Sequence, residues 1–382
     1  MSSPEPAPAP HQRFDYIDTL RGLAAAYVVI YHVLYIPQPN LSISPRLIPW
    51  ISRGYTGVTL FFVLSAFTMM NSMRGRSGES RRDLKFYIRR FFRIAPLYYF
   101  WLAVMLLRIL AYRIPIPPLW IFTTFTFTFN FFPGWEQGLV WASWTLGVEM
   151  FFYLLFPLFF RFVTDWKRAV LLIPLTILIA FLFEQFIRQI LPASSVDLYL
   201  YTSFFMKLPA FAFGILIFFV YEALIEGRKV PRVWSIFLLA AALAGFLTFV
   251  YHWIPFRSVI FELVFTSAFF SCLVLGLAIQ PWRVVVNRLT IFLGTISYSV
   301  YLAHPVVIQY LIPLFRRIYG LVERDTAAYL LASLISFVIV VFAAFVTYRL
   351  IEKPGMQLGS RLTRSVGLKQ SAQPALVGKA TD

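Results

Sequence analysis

The sequence predicts an all-α integral membrane protein of about ten transmembrane helices with both termini cytoplasmic. Three observations lead there. Of 382 residues, 59% are hydrophobic and only 13% charged, against about 25% charged in soluble domains. Apolar runs of about 20 residues, enough to cross a bilayer as helix, recur along nearly the whole chain. The net charge of +17 falls in short segments between those runs instead of forming a soluble basic face. Membrane topology therefore accounts for it, and nucleic acid is not an expected partner.

Windows bounded by charge, Pro or Gly place spans at 16–36, 55–73, 92–112, 141–164, 169–187, 202–224, 233–252, 258–280, 289–313 and 328–351. The segment RGRSGESRRDLKFYIRRFFR, 74–93, is the most basic loop and is cytoplasmic by the positive-inside rule. With two spans before it, the N-terminus is inside too, as are Lys167/Arg168, Arg228/Lys229 and Arg283/Arg288. This count requires that 113–140, with its alternating TFTFTFNFF, does not cross. An isolated strand cannot satisfy its backbone in lipid, so a short helix or interfacial lid is expected, with its aromatics serving as boundary residues. Residues 1–13, polar and proline-rich without a cleavable signal pattern, are expected to be a disordered tail. Residues 14–354 form the membrane domain, and 355–382 read as a basic, disordered tail. The single cysteine, Cys272, rules out an internal disulfide or a thiolate metal cluster.

Ionisable residues inside spans are functional candidates, because holding them there costs energy. In RGLAAAYVVIYH, eleven positions at about 100° each bring His32 within about 20° of Arg21 around the helix and about 16 Å along it. Asp18 continues the same polar stripe. Glu149, in WTLGVEMFFYLLFP, descends from outside and is expected at the depth of His32; His304, in ISYSVYLAHPVV, rises to a similar depth. Two imidazoles and a carboxylate at one level suit proton transfer. Structural readings stand beside this: Arg21 snorkelling or pairing with Asp18, His32 satisfying a carbonyl, Glu149 in a salt bridge, His304 at a packing position. Arg90 and Arg93, three apart where the third span starts, suit a phosphorylated cofactor or, alternatively, anionic headgroups. His252 is interfacial and His11 lies in the tail. No GxSxG elbow, glycine-rich phosphate loop, HExxH or paired cysteine motif is present.

Taken in order, the motifs resemble the acyltransferase type 3 family of membrane acyltransferases. FDYIDTLRGLAAAYVVIYH is similar to its opening D-x-x-R-G and R-x10-H signature, GVTLFFVLSAF to GVDLFFVLSGF, and FYIRRFFRIAPLYY to its R-x-x-R segment. WTLGVEMFFYLLFP, ISYSVYLAHPVV and YRLIEKP follow in the family's order. Thr59, Ala66 and Met150 depart from the pattern, which there has Asp, Gly and a second Glu, and no role is carried to Thr59. The resemblance implies transfer of an acyl group, commonly acetyl, from cytoplasmic acyl-CoA as donor substrate to a hydroxyl of a carbohydrate or glycoconjugate. It implies a stand-alone form, without the soluble hydrolase-like domain fused to some members, and a bacterial inner-membrane location. His32 is then the general base, or the site of a covalent acyl-histidine, with Glu149 orienting it or balancing charge. Arg21 lines the path, and Arg90 and Arg93 hold the donor phosphates. Asp18, Tyr298, Tyr301 and His304 bind substrate or support the site. No metal or resident cofactor is expected. A transporter or flippase for a lipid or sugar is the competing class, since intramembrane charges also suit proton-coupled export.

Overall fold

The computed structural model describes residues 14–256 and 258–371, with side chains described to residue 366, so the expected tail at 1–13 and residues 372–382 lie outside it. Among the described residues the structure is helical throughout. In chain order the helices are α1 (Asp15–Tyr35), α2 (Ile48–Ile51), α3 (Gly57–Arg74), α4 (Arg82–Ala111), α5 (Pro118–Phe125), α6 (Trp144–Phe162), α7 (Trp166–Ile190) and α8 (Ala193–Thr202). Then follow α9 (Phe204–Leu224), α10 (Arg232–Val250), α11 (Val259–Ile279), α12 (Arg288–Thr295), α13 (Ser297–Leu321), α14 (Asp325–Thr347) and α15 (Lys353–Ser371). Ten helical segments are long and apolar enough to cross a membrane. The protein is a multi-pass membrane protein.

Helix α1 is central, packed on α3, α11, α12, α13 and α14, while α3 lies between α1 and α9. The spans at α7 and α10 are only 22% buried. The middle turns of both are apolar all round, and so exposed they suit lipid as the neighbour. Polar contacts gather the loops into two ends. Arg161 pairs with Asp83, and Arg74 donates to Glu222 at 2.7 Å, at the end carrying the basic 75–81 loop. At the opposite end Tyr319 donates to the carbonyl of Ser42 at 2.8 Å, and Arg53 bonds His252. This is the pairing of loops that the alternating span order requires.

Four expectations are corrected. The third span begins at Arg82, ten residues early; its 30 residues would be about 45 Å long, more than a hydrocarbon core of about 30 Å, so Arg90 and Arg93 sit inside a helix and not at its start. The ninth span is broken: an Asn287 capping box starts α12, and the chain kinks at Ile296 before α13. The tenth does not end at 351, since a π-helical turn, Tyr348–Glu352, joins α14 to α15. Residues 355–371, expected to be disordered, are helical, because Gly355 and Gly359 let α15 lie directly on Pro96 and Phe92 of α4. Residues 113–140 hold only the eight-residue α5 and a 3-10 turn, Phe129–Phe131, which is too short to cross and forms the expected short helix.

Candidate active site

Helix α1 runs unbroken from Asp15 to Tyr35, and Arg21 and His32 open onto two adjoining chambers. The first, toward the basic end, is a narrow cavity of about 130 Å³ lined by Arg21, Ser65, Arg90, Arg93, Thr145, Glu149, Tyr153, Tyr298 and Tyr301. The second is a cleft of about 930 Å³ toward the opposite end, walled by His32, Tyr55, Trp120, Trp141, Trp144, Tyr201 and Tyr301 with the loop 134–138. Tyr301 and Val58 belong to both and mark the junction. Thr145 Oγ1 lies 3.1 Å from the Tyr301 hydroxyl and 3.2 Å from the carbonyl of Ala142, which can only accept.

The two imidazoles meet: His32 Nδ1 lies 2.9 Å from the carbonyl of Val28 and 3.2 Å from His304 Nε2. A carbonyl only accepts, so His32 Nδ1 carries the proton and Nε2 keeps its lone pair. By the same logic His304 presents a bare Nε2 to that proton. His304 is fully buried behind His32, which alone lines the cleft. Pro305 has no N–H to offer the Tyr301 carbonyl one turn back, a gap beside the His304 ring.

Glu149 is not with the histidines, contrary to expectation; it lies in the first chamber. Helix α6 begins only at Trp144, after the loop 132–143 has folded into the cleft wall, so its second turn is already at the depth of the arginines. Ser65 donates to Glu149 Oε1 at 2.6 Å and Tyr153 donates to the same oxygen. Among the described residues no arginine lies within salt-bridge distance of it, so the ion-pair reading fails as well.

The cations differ in how they are held. Arg21 donates to Thr68 at 3.1 Å and stands 3.9 Å from Asp18. Arg93 pairs with Glu352, buried on the π-helical turn, whose other oxygen accepts from Ser299 at 2.6 Å. Arg93 also faces the ring of Tyr298, which donates to the Ile94 carbonyl at 2.8 Å. Arg90 packs over Phe86 and Tyr153 and, among the described residues, has no carboxylate within 4 Å. It is the cation with charge to spare. Sequence reasoning missed Ser65, Thr68, Thr145, Tyr153 and Glu352. The i, i+4 spacing of Glu149 and Tyr153 and the lone acid in YRLIEKP were signals for two of them.

An acyltransferase-domain family profile matches residues 14–349, nearly the whole described chain. The chain belongs to the acyltransferase type 3 family. That places it with acyltransferases and not with the transporters that the span count also allowed. ORF330 of Acidianus two-tailed virus, whose name describes an acetyltransferase, is similar: 27% identical over 302 residues, covering 75% of this acyltransferase and 81% of the relative. Peptidoglycan O-acetyltransferase OatA of Listeria monocytogenes serovar 1/2a is 27% identical over 171 residues, 40% of this chain and 25% of its own. Nodulation protein 10 of Rhizobium leguminosarum bv. viciae is 29% identical over 175 residues, 40% and 46% of the two chains. The match thus spans a quarter and under half of the two bacterial relatives. No solved structure matches this acyltransferase.

Proposed function

We propose that this acyltransferase moves an acyl group, acetyl first among candidates, from acyl-CoA at the basic end to a hydroxyl of a carbohydrate or glycoconjugate at the opposite end. The basic end is then cytoplasmic, and a bacterial inner membrane is the setting. The observation that carries the reading is the junction of an arginine-lined cavity with an aromatic cleft, a histidine pair standing just above it. The relatives' names supply the acetyl group and, for the Listeria protein, a glycan acceptor.

Anionic phosphates of the donor are drawn to Arg90 and Arg21, with Arg93 braced by Glu352 behind them. The thioester arm extends along α1 to the junction. An acceptor hydroxyl in the cleft gives its proton to His32 Nε2 while its oxygen attacks the thioester carbon. The imidazolium is stabilised through Nδ1–H by the Val28 carbonyl and His304 Nε2. The Tyr301 hydroxyl, at the junction of the two chambers, turns to donate to the developing oxyanion. As the C–S bond breaks, the proton passes from His32 to sulfur, giving the ester and CoA thiol. Glu149, neutralising the arginine-lined chamber, keeps the arm's path from binding anions too tightly.

Purified protein incubated with radiolabelled acetyl-CoA and a panel of glycans should move label to an acceptor without an ion gradient. His32→Ala should lower that transfer by about 10²–10⁴, the usual contribution of a general base, at unchanged protein abundance. Full transfer by the variant would remove His32 from the mechanism.

A further inference from the structure

Beside the cleft lies a third cavity of about 200 Å³ that shares Tyr55, Trp144 and Tyr201 with it. Its walls carry two charged groups that the proposed chemistry does not use, Lys207 of α9 and Glu262 of α11. Lys207 is 5% exposed. Its ammonium sits over the rings of Tyr201 at 4.3 Å and Trp144 at 5.7 Å, and no carboxylate among the described residues lies within 4 Å of it. Glu262 lines the same cavity and accepts from the Tyr55 hydroxyl, which donates to Oε1 at 2.5 Å. Opposite charges that line one cavity without direct contact leave an ammonium with hydrogens to donate and a carboxylate with lone pairs to fill, which a ligand between them can satisfy. The groups that fit both are ones that accept from an ammonium and donate to a carboxylate at neighbouring positions, which is what vicinal hydroxyls do. The aromatic walls add apolar faces against which the C–H face of a sugar ring packs.

We propose that this cavity is a carbohydrate subsite, holding a sugar residue next to the one acylated at His32, with its hydroxyls bridging Lys207 and Glu262. The inference rests on the carbohydrate-acceptor reading above and adds where selectivity for an oligomeric acceptor arises.

The test is binding of cellotriose, chitotriose and maltotriose to the purified full-length protein in detergent, by saturation-transfer NMR and titration, with acetylation of bound sugar followed separately. The wild type should bind at least one trisaccharide better than its monosaccharide. Lys207→Met and the near-isosteric Glu262→Gln should each weaken it tenfold or more while leaving acetyl-CoA binding unchanged, which a misfolded variant would not. Binding of none of the three by the wild type, or wild-type affinity in either variant, overturns the subsite. A trisaccharide that binds through Lys207 and Glu262 but is never acetylated leaves the subsite standing and overturns carbohydrate transfer.

Discussion

Among the residues of the arginine-lined chamber, Arg90 and Arg93 look equivalent in sequence and differ in the fold. Arg93 has its charge matched by the buried Glu352, whereas Arg90 meets only aromatic rings. Removing Arg93 leaves Glu352 unpaired in a site it cannot leave, a penalty of roughly 3–5 kcal/mol. Arg93→Ala should therefore lower the melting temperature in detergent, and Arg93→Ala combined with Glu352→Gln should recover part of the loss. Arg90→Ala should leave melting nearly unchanged but raise the apparent KM for acetyl-CoA about tenfold or more, the loss of a charge-assisted contact worth roughly 1.5–3 kcal/mol. Equal effects of the two single variants on melting and KM would refute this division. The sequence displayed both arginines and the pair Arg21 and His32 on one stripe; it could not show that a glutamate 259 positions away takes one of them.

At the scale of elements, the segment 126–143 decides how the cleft is shaped. Asn130, at the end of the aromatic alternation, holds its side-chain nitrogen 3.0–3.2 Å from the carbonyls of Glu136, Trp144 and Thr202, its two hydrogens shared among the three. It fits there because Gly147 on α6 has no Cβ, which would lie 1.6 Å from the Asn130 oxygen. Three carbonyls from separate segments are thus tied by one side chain. Asn130→Leu removes those bonds and leaves the carbonyls buried, about 1–3 kcal/mol for each group left unpaired. It should lower thermal stability and, by loosening the wall that carries Trp135 and Trp141, raise the acceptor KM more than the donor KM. A variant with wild-type melting and KM values would show the segment to be a passive boundary. The sequence announced a short non-crossing helix here but not its inward fold, and that omission is also why Glu149 was expected beside His32.

For the whole molecule, the proposed donor route requires the 75–81 loop in the cytoplasm, the side that the positive-inside rule favours for so basic a loop. Replacing the lone Cys272 with alanine and introducing cysteine at Ser77 or Ser194, at opposite ends, gives a direct check in intact bacterial cells. An impermeant maleimide should label the position 194 variant in intact cells and the position 77 variant only after lysis; the reverse pattern would invert donor and acceptor sides. The sequence by itself determined the class, the number of spans, the non-crossing segment and the family motifs, because bilayer thickness and the cost of unpaired polar groups act on each segment locally. Only tertiary structure decided that His32 meets His304, that Glu149 joins the arginines, that Glu352 anchors Arg93 and that Thr59 and Lys207 wall one cavity. Those outcomes depend on helix starts, a kink at Ile296 and a π-helical turn before α15, each set by packing between segments far apart in the chain.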